Sequence, residues 1–141
     1  MLPSDFPNLR PDAFEHEEDY IAAVVYQCCL HIHQTMGPGL MESAYERILE
    51  IELLEWGFDM QRQQKVDAFW RGENVGLGYI ADLVINELVI VELKSIKELI
   101  PVNYKQVLTY IRLEDKRLGL LINFGAAVLK GNFKRVVNGL W

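Results

Sequence analysis

The chain is poor in cysteine, carries no excess of positive charge and has no long apolar run. Its two cysteines among 141 residues are the neighbours Cys28 and Cys29, which argues against a disulfide framework. They sit in CCLHIH, with His31 and His33 close by. Cys29 and His33 would share a helix face, but four ligands crowded along one short helical stretch cannot surround a zinc ion tetrahedrally. Small buried cysteines on a packed helix are therefore expected. No apolar run approaches the roughly 18–20 residues that span a bilayer. The opening MLPSDFPNLRPDAF has neither the basic start nor the apolar stretch of a signal peptide. A soluble, cytoplasmic protein with no membrane partner is the expectation. Lysine and arginine number 14 against 20 aspartates and glutamates, a formal net charge of −6. That balance weighs against tight nonspecific nucleic-acid binding, which draws on an excess or patch of positive charge.

What the chain does have is a clear succession of periodicities. Residues 1–13 hold three prolines and few large apolar groups, which predicts an extended N-terminal arm before a single domain spanning 14–141. From 15 to 36, Ile21, Val24, Val25, Cys28 and Ile32 recur at helical spacing. Gly37-Pro38-Gly39 breaks that helix. A second is predicted from Leu40 to Trp56, with Leu40, Ala44, Ile48, Ile51 and Leu54 on its buried stripe and Gly57 as the stop. Strands follow at Phe58–Trp70, Val75–Ile85 and Leu88–Ser95, separated by the turns RGEN (71–74) and Asn86-Glu87. A helix opens at Pro101 and runs to about Asp115. Leu118–Phe124 reads as a buried strand and 133–137 as a short last one. The expected fold class is α/β of the α+β kind, a mixed central sheet flanked by helices in the order α-α-β-β-β-α-β with that terminal strand added.

One stretch stands out. Residues 88–95, LVIVELKS, carry Glu92 and Lys94 inside an apolar strand, where ionised groups are costly unless paired or bound. Two residues apart, they project from the same face with Ile90. Asp82 lies on the preceding strand in YIADLVI. Register decides whether it joins them. If Ile85 pairs with Leu88, Asp82 and Glu92 fall on opposite sides of the sheet. If Ile85 pairs with Val89 through a three-residue loop, or a bulge intervenes, they face each other. Carboxylates so placed repel unless a cation or proton sits between them, and hard oxygen donors suit Mg²⁺ or Mn²⁺. Such an ion can hold a phosphate and acidify a water, and the Lys94 ammonium can orient that water or stabilise charge on the phosphate oxygens. The bland alternative is a Glu92–Lys94 salt bridge on a solvated sheet face.

Further stretches bear on this choice: Gly39-Leu40-Met41-Glu42-Ser43-Ala44-Tyr45, preceded by Ile32-His33 and Gly37-Pro38; Tyr79-Ile80-Ala81-Asp82-Leu83; Val91-Glu92-Leu93-Lys94; Gln106-Val107-Leu108-Thr109-Tyr110; and Leu120-Leu121-Ile122-Asn123-Phe124. In this order they resemble the GxxExxY protein family of the PD-(D/E)xK nuclease superfamily, over roughly residues 20–140. The resemblance implies a restriction-endonuclease-like core, in which a helix precedes a three-stranded meander, then a helix and a further strand. It implies that Asp82, Glu92 and Glu42 bind the divalent metal, that the Leu93 carbonyl is available as a ligand, and that Lys94 is catalytic. Gln106 matches a supporting position, and Tyr110, one turn later, shares its helix face and joins it as a candidate catalytic residue. Tyr45 is expected to pack, and His33 to hydrogen-bond the Gly-Pro-Gly turn.

The acidic balance departs from the basic cleft of many DNA-cutting members. Lys97, Lys105, Arg112, Lys130, Lys134 and Arg135 are the candidates for a local positive rim. No target-recognition module is visible, so a homodimer or a protein partner would supply specificity. The function expected is a metal-dependent phosphodiester hydrolase acting on DNA or RNA. The alternative is a catalytically silent module that keeps the fold for binding or regulation, with Trp70 and Trp141 as partner-facing residues.

Overall fold

Acidic residues open the first helix, α1 (Glu17–Met36), with Glu17, Glu18 and Asp19 in its first turn, where they complement the helix dipole. The computed structural model describes residues 2–139. All five apolar positions expected on α1 are buried. The helix stops at Gly37, whose backbone is left-handed at φ 68° and whose N–H donates to the His33 carbonyl. Within the N-terminal segment, two single-turn 3₁₀ helices, Pro3–Asp5 and Pro11–Ala13, interrupt the extended path, each opened by a proline with φ preset for a turn. The Phe6 ring lies 6.4 Å from Trp56 and Phe14 lies 5.9 Å from Tyr20.

The second helix, α2 (Glu42–Leu54), is rotated from the expected face. Tyr45, Glu46, Leu49 and Leu53 are its buried residues, whereas Ile51 and Leu54 are 49 % and 57 % exposed. Both stripes satisfy helical spacing, so periodicity alone does not choose between them. Tyr45 chooses. Its ring stacks on Phe124 at 4.4 Å, and its hydroxyl donates to the Gly37 carbonyl and accepts from the Leu40 N–H.

The sheet runs β1 (Met60–Trp70), β2 (Glu73–Ile85), β3 (Val89–Lys94), β4 (Leu118–Asn123) and β5 (Phe133–Val137), in that spatial order. The β1–β2 turn is Arg71-Gly72 alone, both left-handed, the geometry that matches strand twist in a two-residue hairpin. The third helix, α3 (Pro101–Leu113), carries the chain from β3 to its parallel neighbour β4, and β5 returns antiparallel. With three helices and this five-stranded mixed sheet among the described residues, the fold is α+β and restriction-endonuclease-like. α1 and α2 cover one sheet face and α3 the other, so β4 is buried throughout.

Gly119 sets how closely α3 approaches. A β-carbon there would lie 2.5 Å from Val107 Cγ1 and 3.0 Å from Ile111 Cγ2. Gly119→Val is expected to destabilise the fold by about 1–3 kcal/mol through overpacking, lowering the melting temperature by roughly 3–10 °C; a thermal melt checks it. Among the described residues, no helix is long and apolar enough to cross a membrane.

Candidate active site

Asn86, Glu87 and Leu88 form the loop between β2 and β3. Asn86 and Glu87 are left-handed, and Leu88 N–H donates to the Ile85 carbonyl. Ile85 therefore pairs with Val89 and Leu83 with Val91. Continued by one step, this register sets Asp82 opposite Glu92. The strand ladder stops at Leu83–Val91, and the acids take over: Leu93 N–H donates to Asp82 Oδ2 at 2.9 Å, and Asp82 N–H to Glu92 Oε1 at 3.4 Å.

Glu92 is 7 % exposed. Burial, and then the Asp82 charge, push its carboxyl up to about 8, with Lys94 acting the other way. A buried acid facing a second acid is the arrangement that a cation relieves. Magnesium is commonly held by one or two carboxylates together with waters and substrate phosphates, and Asp82 with Glu92 fits that donor set. Lys94 is partly exposed, and its ammonium makes no ion pair within 4 Å among the described residues. A Glu92–Lys94 salt bridge on a solvated face is not what the structure contains.

Glu42 does not converge on the other two acids. No group of three His, Cys, Asp or Glu side chains close enough to share a metal occurs among the described residues. The Glu42 carboxylate instead accepts from Ser95 N–H at 3.3 Å, one residue beyond Lys94, while Ser95 Oγ donates to the Leu40 carbonyl at 2.7 Å. The glycine-to-tyrosine stretch thus works as a clamp. Tyr45 pins the turn, the turn places the start of α2, and α2 grips the end of β3. An open groove of about 810 Å³ runs between residues 39–43, residues 95–97 and Gly125. It borders Glu42 rather than Asp82 and Glu92. Gly125 lets the two loops touch there, since a β-carbon would fall 2.2 Å from the Ile96 carbonyl oxygen.

On α3, Tyr110 faces the acid pair. Its hydroxyl pKa is raised by burial and then by the Glu92 and Asp82 charges. Its ring stacks on Tyr79 at 3.9 Å, and Tyr79 Oη donates to the Tyr110 carbonyl. Gln106 is exposed one turn earlier, without a side-chain hydrogen bond among the described residues. His33 bonds a different loop from the one expected: Nε2 donates to the Ala126 carbonyl at 2.8 Å. Cys28 and Cys29 are fully buried, and burial pushes both thiols up, Cys28 to about 12.

The candidate cations are dispersed. Lys97 alone of the six lines the groove, and Arg135 is committed to Asp19 at 2.5 Å. Trp70 is 66 % exposed at the hairpin tip, with the Arg71 guanidinium 5.4 Å from its ring centroid; Trp141 lies outside the described residues.

Nothing in the sequence marks Glu46, Arg62 or Gln63, yet they adjoin the site. Glu46, one turn after Glu42, is 4 % exposed. It accepts from Arg62 Nε at 3.1 Å and from Gln63 Nε2 at 2.8 Å, and Gln63 Nε2 also reaches Asp82 Oδ1 at 3.3 Å.

Among curated proteins and among solved structures, none matches this chain. A family model does: that of the PD-(D/E)XK nuclease superfamily, over residues 19–136. With most of its length under that match, and with an aspartate on β2 set against the glutamate of a Glu-x-Lys strand, the chain belongs to the PD-(D/E)XK nuclease superfamily.

Proposed function

We propose that the protein is a metal-dependent phosphodiester hydrolase of the GxxExxY kind, cutting DNA or RNA with Mg²⁺ or Mn²⁺. The observation that carries this reading is the meeting of Asp82 and Glu92 at the end of the β2–β3 ladder, with Lys94 two residues on. Asp82 and Glu92 would hold the ion, while Glu42 stays outside that pair and accepts from Ser95 N–H beside the groove. A divalent ion there supplies Lewis acidity toward a phosphate oxygen and lowers the pKa of a water.

The chain's own groups do the rest. Lys94 donates hydrogen bonds to the nonbridging oxygens as a water attacks phosphorus in line and the opposite P–O ester bond breaks. Tyr110 and Gln106 flank the approach from α3. The groove beside Glu42, with Lys97 on its wall, offers the strand a path.

The test is incubation of purified protein with a pool of single- and double-stranded DNA and RNA, with Mg²⁺, with Mn²⁺ and with chelator. Metal-dependent fragmentation of at least one class is expected. Intact substrates in both metals would overturn the catalytic reading, and tight Mn²⁺ binding without cleavage would mark a silent binding module instead.

A further inference from the structure

Five non-glycine residues among those described have positive φ: Gln63, Arg71, Asn86, Glu87 and Asp115. Four lie in turns or just past a helix end, where left-handed backbone is ordinary. Gln63 alone lies inside a strand, at φ 51° in β1. A side chain other than glycine or asparagine held there costs backbone energy, and such strain persists where something else requires it. Gln63 is exposed, so burial does not compensate it.

The consequence is visible in the sheet. Met60, Leu83 and Ile85 pack on the α1–α2 side, whereas Val66, Tyr79 and Ala81 pack on the α3 side. Strict alternation would have kept Met60 and Val66 together on one face, and Tyr79 and Ala81 together with Leu83 and Ile85. Both strands switch faces at the same rung, where the register sets Gln63 opposite Asp82. The distortion turns the Gln63 amide toward two carboxylates at once, Glu46 Oε2 at 2.8 Å and Asp82 Oδ1 at 3.3 Å. Two carboxylates accept and do not donate, so the amide must present its NH₂ group to them. Glu46 is itself held by Arg62, which makes α2 the fixed end of the tether. Asp82 is then restrained on both oxygens, Oδ2 by the Leu93 N–H and Oδ1 by Gln63.

We propose that Gln63 is a positioning residue, tethering Asp82 to the buried Glu46 so that the Asp82 carboxylate is set in orientation before a divalent ion arrives. This rests on reading Asp82 as a metal ligand. Partners that orient a ligand in this way commonly contribute 10–100-fold to metal affinity.

Two variants test it. Gln63→Gly relieves the left-handed backbone and removes the amide; Gln63→Asn tolerates that backbone but is one methylene too short to span both acids. Both are expected to melt at or above the wild-type temperature without metal, while calorimetric titration with Mn²⁺ alone shows at least about tenfold weaker binding. Wild-type Mn²⁺ affinity in both variants would overturn the proposal. A second measurement does not involve metal. In ¹⁵N-labelled metal-free protein the Gln63 side-chain amide should stand apart from the other five glutamines, and should move in Glu46→Gln and in Asp82→Asn. A Gln63 signal at the position of free glutamine amides would overturn the tether outright. A displaced signal in a wild-type protein that binds no Mn²⁺ would support the tether and sink the metal reading alone.

Discussion

Lys94→Met is expected to slow metal-dependent cleavage by about 10²–10³-fold, the usual consequence of removing one preorganised donor from a developing negative charge. The fall should appear in kcat more than in KM, because the ammonium matters most when charge accumulates on the phosphate oxygens. The melting temperature should barely change. Lys94 is only partly buried, forms no ion pair among the described residues, and its backbone carbonyl bond to Phe124 N–H survives any side-chain substitution. Methionine keeps most of the stem's apolar packing and removes the charge, so fold and function separate cleanly. Steady-state kinetics beside a thermal melt decide the matter. Undiminished turnover would exclude Lys94 from the chemistry.

Glu92→Gln is expected to raise stability at alkaline pH while also ending catalysis. The Glu92 carboxyl stands at about 8 in the folded chain, raised from 4.5 by burial and by Asp82. Between those values the folded state holds a proton that the unfolded state has released. Stability contributed by this group is therefore fully present below about pH 4.5 and is lost as pH rises toward 8. A glutamine fills the same space, can accept the Asp82 N–H and can donate to the Asp82 carboxylate, without the charge. Metal-free Glu92→Gln should melt close to wild type near pH 5 and above it at pH 9, by roughly 10 °C for the few kcal/mol regained when no charge is buried there or set against Asp82. Saturating Mg²⁺ should narrow that gap by stabilising wild type alone. Melts at both pH values with and without metal check this, and a wild-type protein no less stable than the variant at pH 9 would contradict it. A buried carboxyl whose charge weakens the fold fits selection for function rather than stability at that position.

Most of the architecture was readable along the chain because it rests on local signals. The Gly-Pro-Gly break, the helical recurrence from Ile21 to Ile32 and the apolar runs around Val91 and Leu120 each announce their element within a few residues. The rotation of α2 was not readable. The segment ILEIELLEW is apolar on two neighbouring stripes, and the hydroxyl and ring contacts of Tyr45 with Gly37, Leu40 and Phe124 select one of them.

At the site the division follows the same line. Residue type and spacing along β3 already say that Glu92 and Lys94 share a face and that Asp82 lies one strand away, since alternation is a property of any extended chain. Whether the two acids meet depends on the Asn86–Leu88 loop, because adding or removing one residue there carries every side chain of the strand to the other surface. Glu42 matches a motif in the sequence, but its partner is Ser95 across the groove. Gln63 reads as one polar residue among several in QRQQK, and becomes a partner of Asp82 only because its backbone turns left-handed against the rung it faces. Local pattern carries the inventory of chemical groups. Their convergence belongs to loop length, register and one strained residue, which depend on contacts between segments far apart in the chain.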